Sequence, residues 1–185
     1  VYNGDSFEDQ KELRRTFMMY QVKYQAHISK NLYFSASHRN LKPGEVREAM
    51  WDGGFRVTLP NFMFEAEYML QTYGHNAYKD VHYVNAFFCY DVPVDNPGLS
   101  KVSFLGRYDF MSDYSNGLEF DPLVGKLSLT SSRRSRATAG MTFSIAKKAF
   151  KGDIRINYEK YFYTHEPVRP KYENDRFVLG FVVSF

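Results

Sequence analysis

Large apolar side chains fall on every second position along the last stretch of the chain. Phe177, Leu179, Phe181, Val183 and Phe185 alternate with Arg176, Val178, Gly180, Val182 and Ser184. A period of two sends one set to each face of an extended strand. The same alternation recurs upstream. Met18, Tyr20, Val22, Tyr24 and Ala26 mark a strand over 16–26. Further strands are predicted over 32–39, 51–59, 62–72, 82–90, 101–111, 136–146, 152–163 and 175–185. Tyr, Phe, Val and Thr fill these segments, as strands prefer. No stretch sustains the 3.6 period of a helix. The expectation is an all-β chain of nine strands.

The polar positions say which environment each face meets. Arg56, Glu65, Glu67, Arg107, Asp153, Arg155 and Glu159 fall mid-strand, opposite the aromatics. A dry interior holds such groups only at high cost, so that face is expected to meet water. The apolar face must then meet a second sheet or lipid. The segments run about eight to twelve residues. A tilted strand crosses a bilayer in about 9–11, whereas globular strands average about five or six. Short links at 27–31, 60–61, 92–100 and 147–151 alternate with longer ones at 40–50, 73–81, 112–133 and 164–175. That rhythm is the habit of bacterial outer-membrane barrels, with short periplasmic turns and long external loops. The predicted fold is therefore an antiparallel transmembrane β-barrel occupying 16–185 as one domain, with 1–15 an external loop segment and the C-terminus periplasmic. Nine strands that begin outside do not close a barrel with an even strand number. Either the count is off by one, or the chain is the C-terminal part of a larger barrel. The second reading is adopted, with the missing strands upstream.

Composition is consistent with this and narrows it. Aromatics make up 18% of the 185 residues, and no run of about 18 apolar residues marks a helical span. A mean hydropathy of -0.48 does not exclude a barrel, because half of each barrel strand is polar. A net charge of +3 is too mild to imply a nucleic-acid partner. The lone Cys89 forms no internal disulfide, and no zinc spacing is present, so neither metal nor cofactor is expected. The chain begins at Val1 with no leader pattern, so a signal segment is expected to be removed or to lie upstream.

Three segments resemble the phosphate-selective porin O and P family, in the style of its Bacteroidetes members. The first is Trp51-Asp52-Gly53-Gly54-Phe55 through Pro60-Asn61-Phe62 to Glu65-Ala66-Glu67-Tyr68. The second is Arg107-Tyr108-Asp109, and the third is Arg155-Ile156-Asn157-Tyr158-Glu159 with the closing strand. The likeness spans residues 17–185 through short motifs. It implies trimeric porin barrels of about sixteen strands, of which this chain would supply roughly the second half. Its partners would then be outer-membrane lipid and the barrel-assembly machinery, with Phe177, Leu179, Phe181, Val183 and Phe185 as the assembly signal. A homotrimer follows from the same likeness; a larger envelope complex belongs to the alternative of a structural or receptor barrel.

The lumen lining predicted from strand parity comprises Lys23, Arg39, Arg56, Glu65, Glu67, Lys101, Arg107, Asp109, Asp153, Arg155 and Glu159. With Arg176 and Asp52 the face carries seven basic against six acidic groups. Expected pairs are Arg56 with Glu65 or Glu67, Lys101 or Arg107 with a neighbouring strand, and Arg155 with Glu159. Mixed rows rigidify a wall and set a transverse field, whereas a one-signed ring selects by charge. Passive diffusion of small polar or anionic solutes, phosphate included, is therefore the leading expectation. Arg133, Arg134 and Arg136 are read as a basic cluster in the longest loop, placed to attract anions. Trp51, Tyr73, Tyr90, Tyr114 and Tyr163 are read as an aromatic girdle near strand ends. Gly53 and Gly54 suggest a bulge or close packing against another wall or protomer.

Other classes stay open. Glu65 and Glu67 share a face but lack a partnered nucleophile, and His75, His82 and Asp80 are the only residues that hint at a barrel hydrolase. The chain is read as not an enzyme. A structural or receptor barrel in an envelope complex, and a soluble β-sandwich or lipocalin-like carrier, are the remaining alternatives.

Overall fold

A computed structural model describes residues 19–42, 46–74, 78–96, 98–113, 120–121, 126–127, 133–146, 151–164 and 174–184, the two short pairs by backbone alone. Its main element is a nine-stranded antiparallel sheet. The strands are β1 (Met19–Ser29), β2 (Leu32–Leu41), β3 (Glu48–Leu59), β4 (Phe62–Tyr73), β5 (Val81–Asn96), β6 (Leu99–Met111), β9 (Arg134–Ala146), β10 (Lys151–Tyr163) and β11 (Arg176–Ser184). Two-residue strands β7 (Phe120–Asp121) and β8 (Lys126–Leu127) pair only with each other, inside the long connection after β6. The nine strands lie side by side in chain order. Each hairpin closes on its predecessor, the low-cost arrangement for consecutive amphipathic strands.

The sheet is open. Among the described strands, β1 pairs only with β2, and β11 only with β10. The closed ring expected of a complete barrel is not formed by these nine strands. Predicted residues 1–18, His75, Tyr114 and Phe185 lie outside the described residues.

Strand bounds differ from expectation where a turn was read too early or too late. β1 is described from Met19 and runs on to Ser29, with a register shift between His27 and Ser29 before the Lys30–Asn31 turn. β5 was expected to stop at Tyr90, but continues through Pro93 to Asn96. β4 ends its pairing with β5 at Phe62 opposite Tyr90. Beyond that point β5 has one neighbour, so the missing N–H of Pro93 leaves no ladder partner unsatisfied on the open side.

Register makes the two faces continuous across the sheet. Phe34, Phe55, Ala66, Ala86, Tyr108 and Ala137 stand opposite one another in one row across six strands. Phe104, Met141, Ile156 and Leu179 form another. Among the described residues, no second layer covers this face. Among the described hydrophobic residues only Tyr73 and Val81 are buried, while Phe104 is 41% and Phe181 66% exposed. Nine strands about 4.8 Å apart, with some ten residues at about 3.3 Å each, span on the order of 1,200 Å². The largest apolar patch of a typical soluble monomer is about 300–600 Å². Among the described residues, no helix is long and apolar enough to cross a membrane.

Candidate functional site on the charged face

All eleven charges predicted to line a lumen project from the other face of the sheet. The ladders fix this: Lys23 faces Ser37, Arg39 faces Met50, Arg56 faces Glu65, and Glu67 faces Asn85. On the far side Arg107 faces Thr138, Asp109 faces Arg136, Lys101 and Asp153 each face Ser144, Arg155 faces Thr142, and Glu159 faces Arg176. Directly opposed side chains in an antiparallel pair are close enough to interact, and opposite charges there contribute roughly 0.2–1 kcal/mol each.

Most of these groups are paired. Arg56 Nε donates to Glu65 Oε2 at 2.5 Å, as expected. Lys101 Nζ reaches across to Asp91 Oδ2 at 2.9 Å, and the Ser103 hydroxyl donates to the other oxygen of Asp91 at 2.6 Å. Arg107 pairs along its own strand with Asp109. Arg155 departs from expectation, bonding Asp153 at 3.0 Å instead of Glu159. Two residues apart on a strand is about 6.6 Å, whereas four apart is about 13 Å. The Arg155–Glu159 spacing suits a helix and is out of reach here. Glu159 is taken instead by Arg176 at 2.9 Å, with Arg136 3.8 Å away.

The densest cluster centres on Asp109, which is 8% exposed. Its Oδ1 accepts from Asn85 at 2.6 Å, Tyr83 at 3.1 Å and Arg107 at 2.9 Å. Its Oδ2 accepts from Arg136 at 2.8 Å. A carboxylate so enclosed is held by its donors, which offset its lost hydration. The Arg136 guanidinium also stands 5.9 Å from the ring centre of Tyr161.

The arginine cluster assigned to the long loop is differently placed. Arg134 and Arg136 belong to β9, because β6 and β10 both extend far enough to pair with Arg134. They lie on the charged face. Arg133 precedes the strand and stands 5.1 Å over the ring of Phe110, which projects from the apolar face. The three arginines thus divide between the two faces.

The proposed girdle also divides. Trp51 and Tyr90 share the apolar face, with Trp51 stacked on His38 at 3.8 Å. Tyr73 stands opposite Glu48 and Tyr163 opposite Arg134, both on the charged face. His82 lies in β5 with its Nδ1 2.7 Å from the Tyr68 hydroxyl, on the apolar face. No bulge interrupts Gly53 and Gly54; a Cβ at Gly54 would stand 3.0 Å from the Ala66 carbonyl oxygen.

Asp91 and Glu48 belong to the charged face and escaped the sequence reading. Extending the period-two count past Tyr90 and before Trp51 would have placed both. Outside the strands, Lys79 Nζ donates to Asp113, tying the connection after β4 to that after β6. That bond holds the Asp113 carboxyl below its ordinary range. Among the described residues, no three His, Cys, Asp or Glu side chains converge to hold a metal ion. No family model, curated protein or solved structure matches the chain.

Proposed function

We propose that this sheet is part of the wall of an outer-membrane β-barrel enclosing a water-filled channel for passive diffusion of small polar or anionic solutes, phosphate among them. One observation carries the reading. Among the described residues, a nine-strand apolar face has no covering layer, while the opposite face holds the ion pairs. Lipid satisfies the first face and a hydrated lumen the second. Unpaired backbone along β1 and β11 is intolerable in hydrocarbon. In the working molecule further strands join those edges, as the likeness to phosphate-selective porins implies. Outer-membrane lipid, the barrel-assembly machinery and a trimeric assembly complete the same proposal.

The channel works without covalent chemistry. Solutes diffuse through water, and the wall selects by width and charge. Along the regular ladders the described charged face carries ten basic and eight acidic side chains. Strands β1 to β4 hold three of the basic and four of the acidic groups; β5 to β11 hold seven and four. The excess is small and lies on one side, so a mild anion preference follows and not a one-signed filter. Planar-bilayer recording of the detergent-extracted protein in asymmetric salt tests this. Stepwise currents with a reversal potential of anion-selective sign are expected. Well-inserted protein that passes no current would remove the channel.

A further inference from the structure

Two exposed cations stand on the apolar face, at the end of the sheet that carries the 112–133 and 164–175 connections. Lys160 of β10 lies opposite Ala137, in the row that also holds Tyr108. Arg133 precedes β9, on the same parity as Ser135. Both side chains turn toward one row. The Arg133 guanidinium is 5.1 Å from the ring centre of Phe110, and the Lys160 ammonium is 5.6 Å from that of Phe162. Phe110 and Phe162 flank Ser135 on either side. Two strand spacings set the two cations roughly 10 Å apart.

The carboxylates nearby do not cancel this charge. Asp113 feels Arg133 but is bonded by Lys79. Asp175 accepts from the Tyr161 N–H at 3.0 Å and from the Tyr158 hydroxyl at 3.4 Å. Among the described residues, neither Arg133 nor Lys160 forms an ion pair. Lys79, Arg133 and Lys160 against Asp113 and Asp175 leave one positive charge in excess. On a wall that meets lipid, long cationic side chains reach for the head-group level.

Below the cations the same strands form an apolar hollow of about 500 Å³, walled by Phe88, Phe104, Met141, Ile156 and Tyr158. Its floor is shallow because Gly106 stands opposite Ala139. From Ser135 to Met141 is about 20 Å of extended chain. Barrel strands tilt about 35–45°, so this covers about 15 Å of depth. That is half of a hydrocarbon core about 30 Å thick, the reach of one leaflet. Positive charge above and an apolar seat one acyl chain below match an anionic amphiphile.

We infer that this face holds one phosphorylated lipid, its head-group phosphate between Arg133 and Lys160 and one acyl chain in the hollow. Charge complementarity selects the head and the hollow receives the tail, so free phosphate meets only half of the site. The inference rests on the proposed contact of this face with lipid.

Native mass spectrometry of the full protein released from detergent tests it, with phosphatidylglycerol and phosphatidylcholine as separate probes and inorganic phosphate as competitor. Phosphatidylglycerol is expected to bind about tenfold more tightly than phosphatidylcholine, and the Arg133→Gln, Lys160→Gln double variant to lose that preference. Ala139→Phe, which fills the hollow, should weaken both lipids at least about threefold. Equal affinities for the two lipids in the parent overturn the site. So does full phosphatidylglycerol affinity in a folded double variant or in folded Ala139→Phe, and so does displacement of the lipid by inorganic phosphate at constant ionic strength. Quenching of Trp51 by lipid brominated along its acyl chains separates the two readings. Quenching without a phosphatidylglycerol preference removes the site alone, whereas Trp51 untouched by any brominated lipid removes the lipid-facing wall beneath it.

Discussion

At the scale of residues, two glycines make opposite demands. A Cβ on Gly54 would stand 3.0 Å from the Ala66 carbonyl oxygen and 3.4 Å from Glu67 Cβ. That oxygen is fixed by the β3–β4 ladder and does not give way. A Cβ on Gly106 would meet the Phe88 ring at 2.1 Å, but Phe88 is 43% exposed and swings aside. Replacing a strand glycine also recovers roughly 0.5–1 kcal/mol of chain entropy. Gly54→Ala is therefore expected to destabilise by about 1–3 kcal/mol, and Gly106→Ala to be near neutral. Urea unfolding from lipid vesicles measures both; the reverse order would refute this account of the two sites. The sequence places both glycines in strands, but only the register tells which neighbour is rigid. Charge pairing was legible to the same degree. Arg56 and Glu65 flank the Pro60–Asn61 turn symmetrically, so their opposition follows from the turn. Arg155 was assigned a partner four positions away, a distance an extended chain does not fold back to cover.

At the scale of elements, parity was the legible quantity and the ends of strands were not. Period two fixed the face of every predicted lumen charge that the structure describes. Proline, Asp and Asn after Tyr90 read as breakers, yet β5 runs on because β6 continues to pair with it, past Lys101 opposite Pro93 and, after a register shift, to Leu99 opposite Asn96. Arg134 looked like loop because its neighbours are polar; it is strand because β6 and β10 flank it. The same parity makes a sharp prediction in β11, where Phe181 and Val182 are adjacent and project from opposite faces. On the proposed lipid contact, Phe181→Arg puts a charge among acyl chains and should cost about 2–4 kcal/mol, depending on depth. Val182→Arg puts the same charge beside Asp153 on the wet face and should be close to neutral. Vesicle refolding yields and unfolding midpoints for the two variants decide it. Equal penalties at both positions would mean that the faces are not differently solvated.

At the scale of the whole molecule, the apolar face of the sheet has no covering layer among the described residues, and the proposed wall places lipid there. Nine amphipathic strands in meander order were readable from the sequence, because each alternates cleanly and each link is local. Closure was not readable, since it depends on what lies against β1 and β11. What the sheet does impose is a sidedness that one residue reports. Trp51 is the only tryptophan in the chain, stands on the apolar face and is 53% exposed. The decisive measurement is quenching of its emission in reconstituted vesicles, taken as the difference between the parent and Trp51→Phe. Lipids brominated along the acyl chain near the head-group should quench it strongly, and aqueous acrylamide should quench it weakly. Strong acrylamide quenching with no effect from any brominated lipid would show Trp51 bathed in water, and the lipid-facing wall would be wrong.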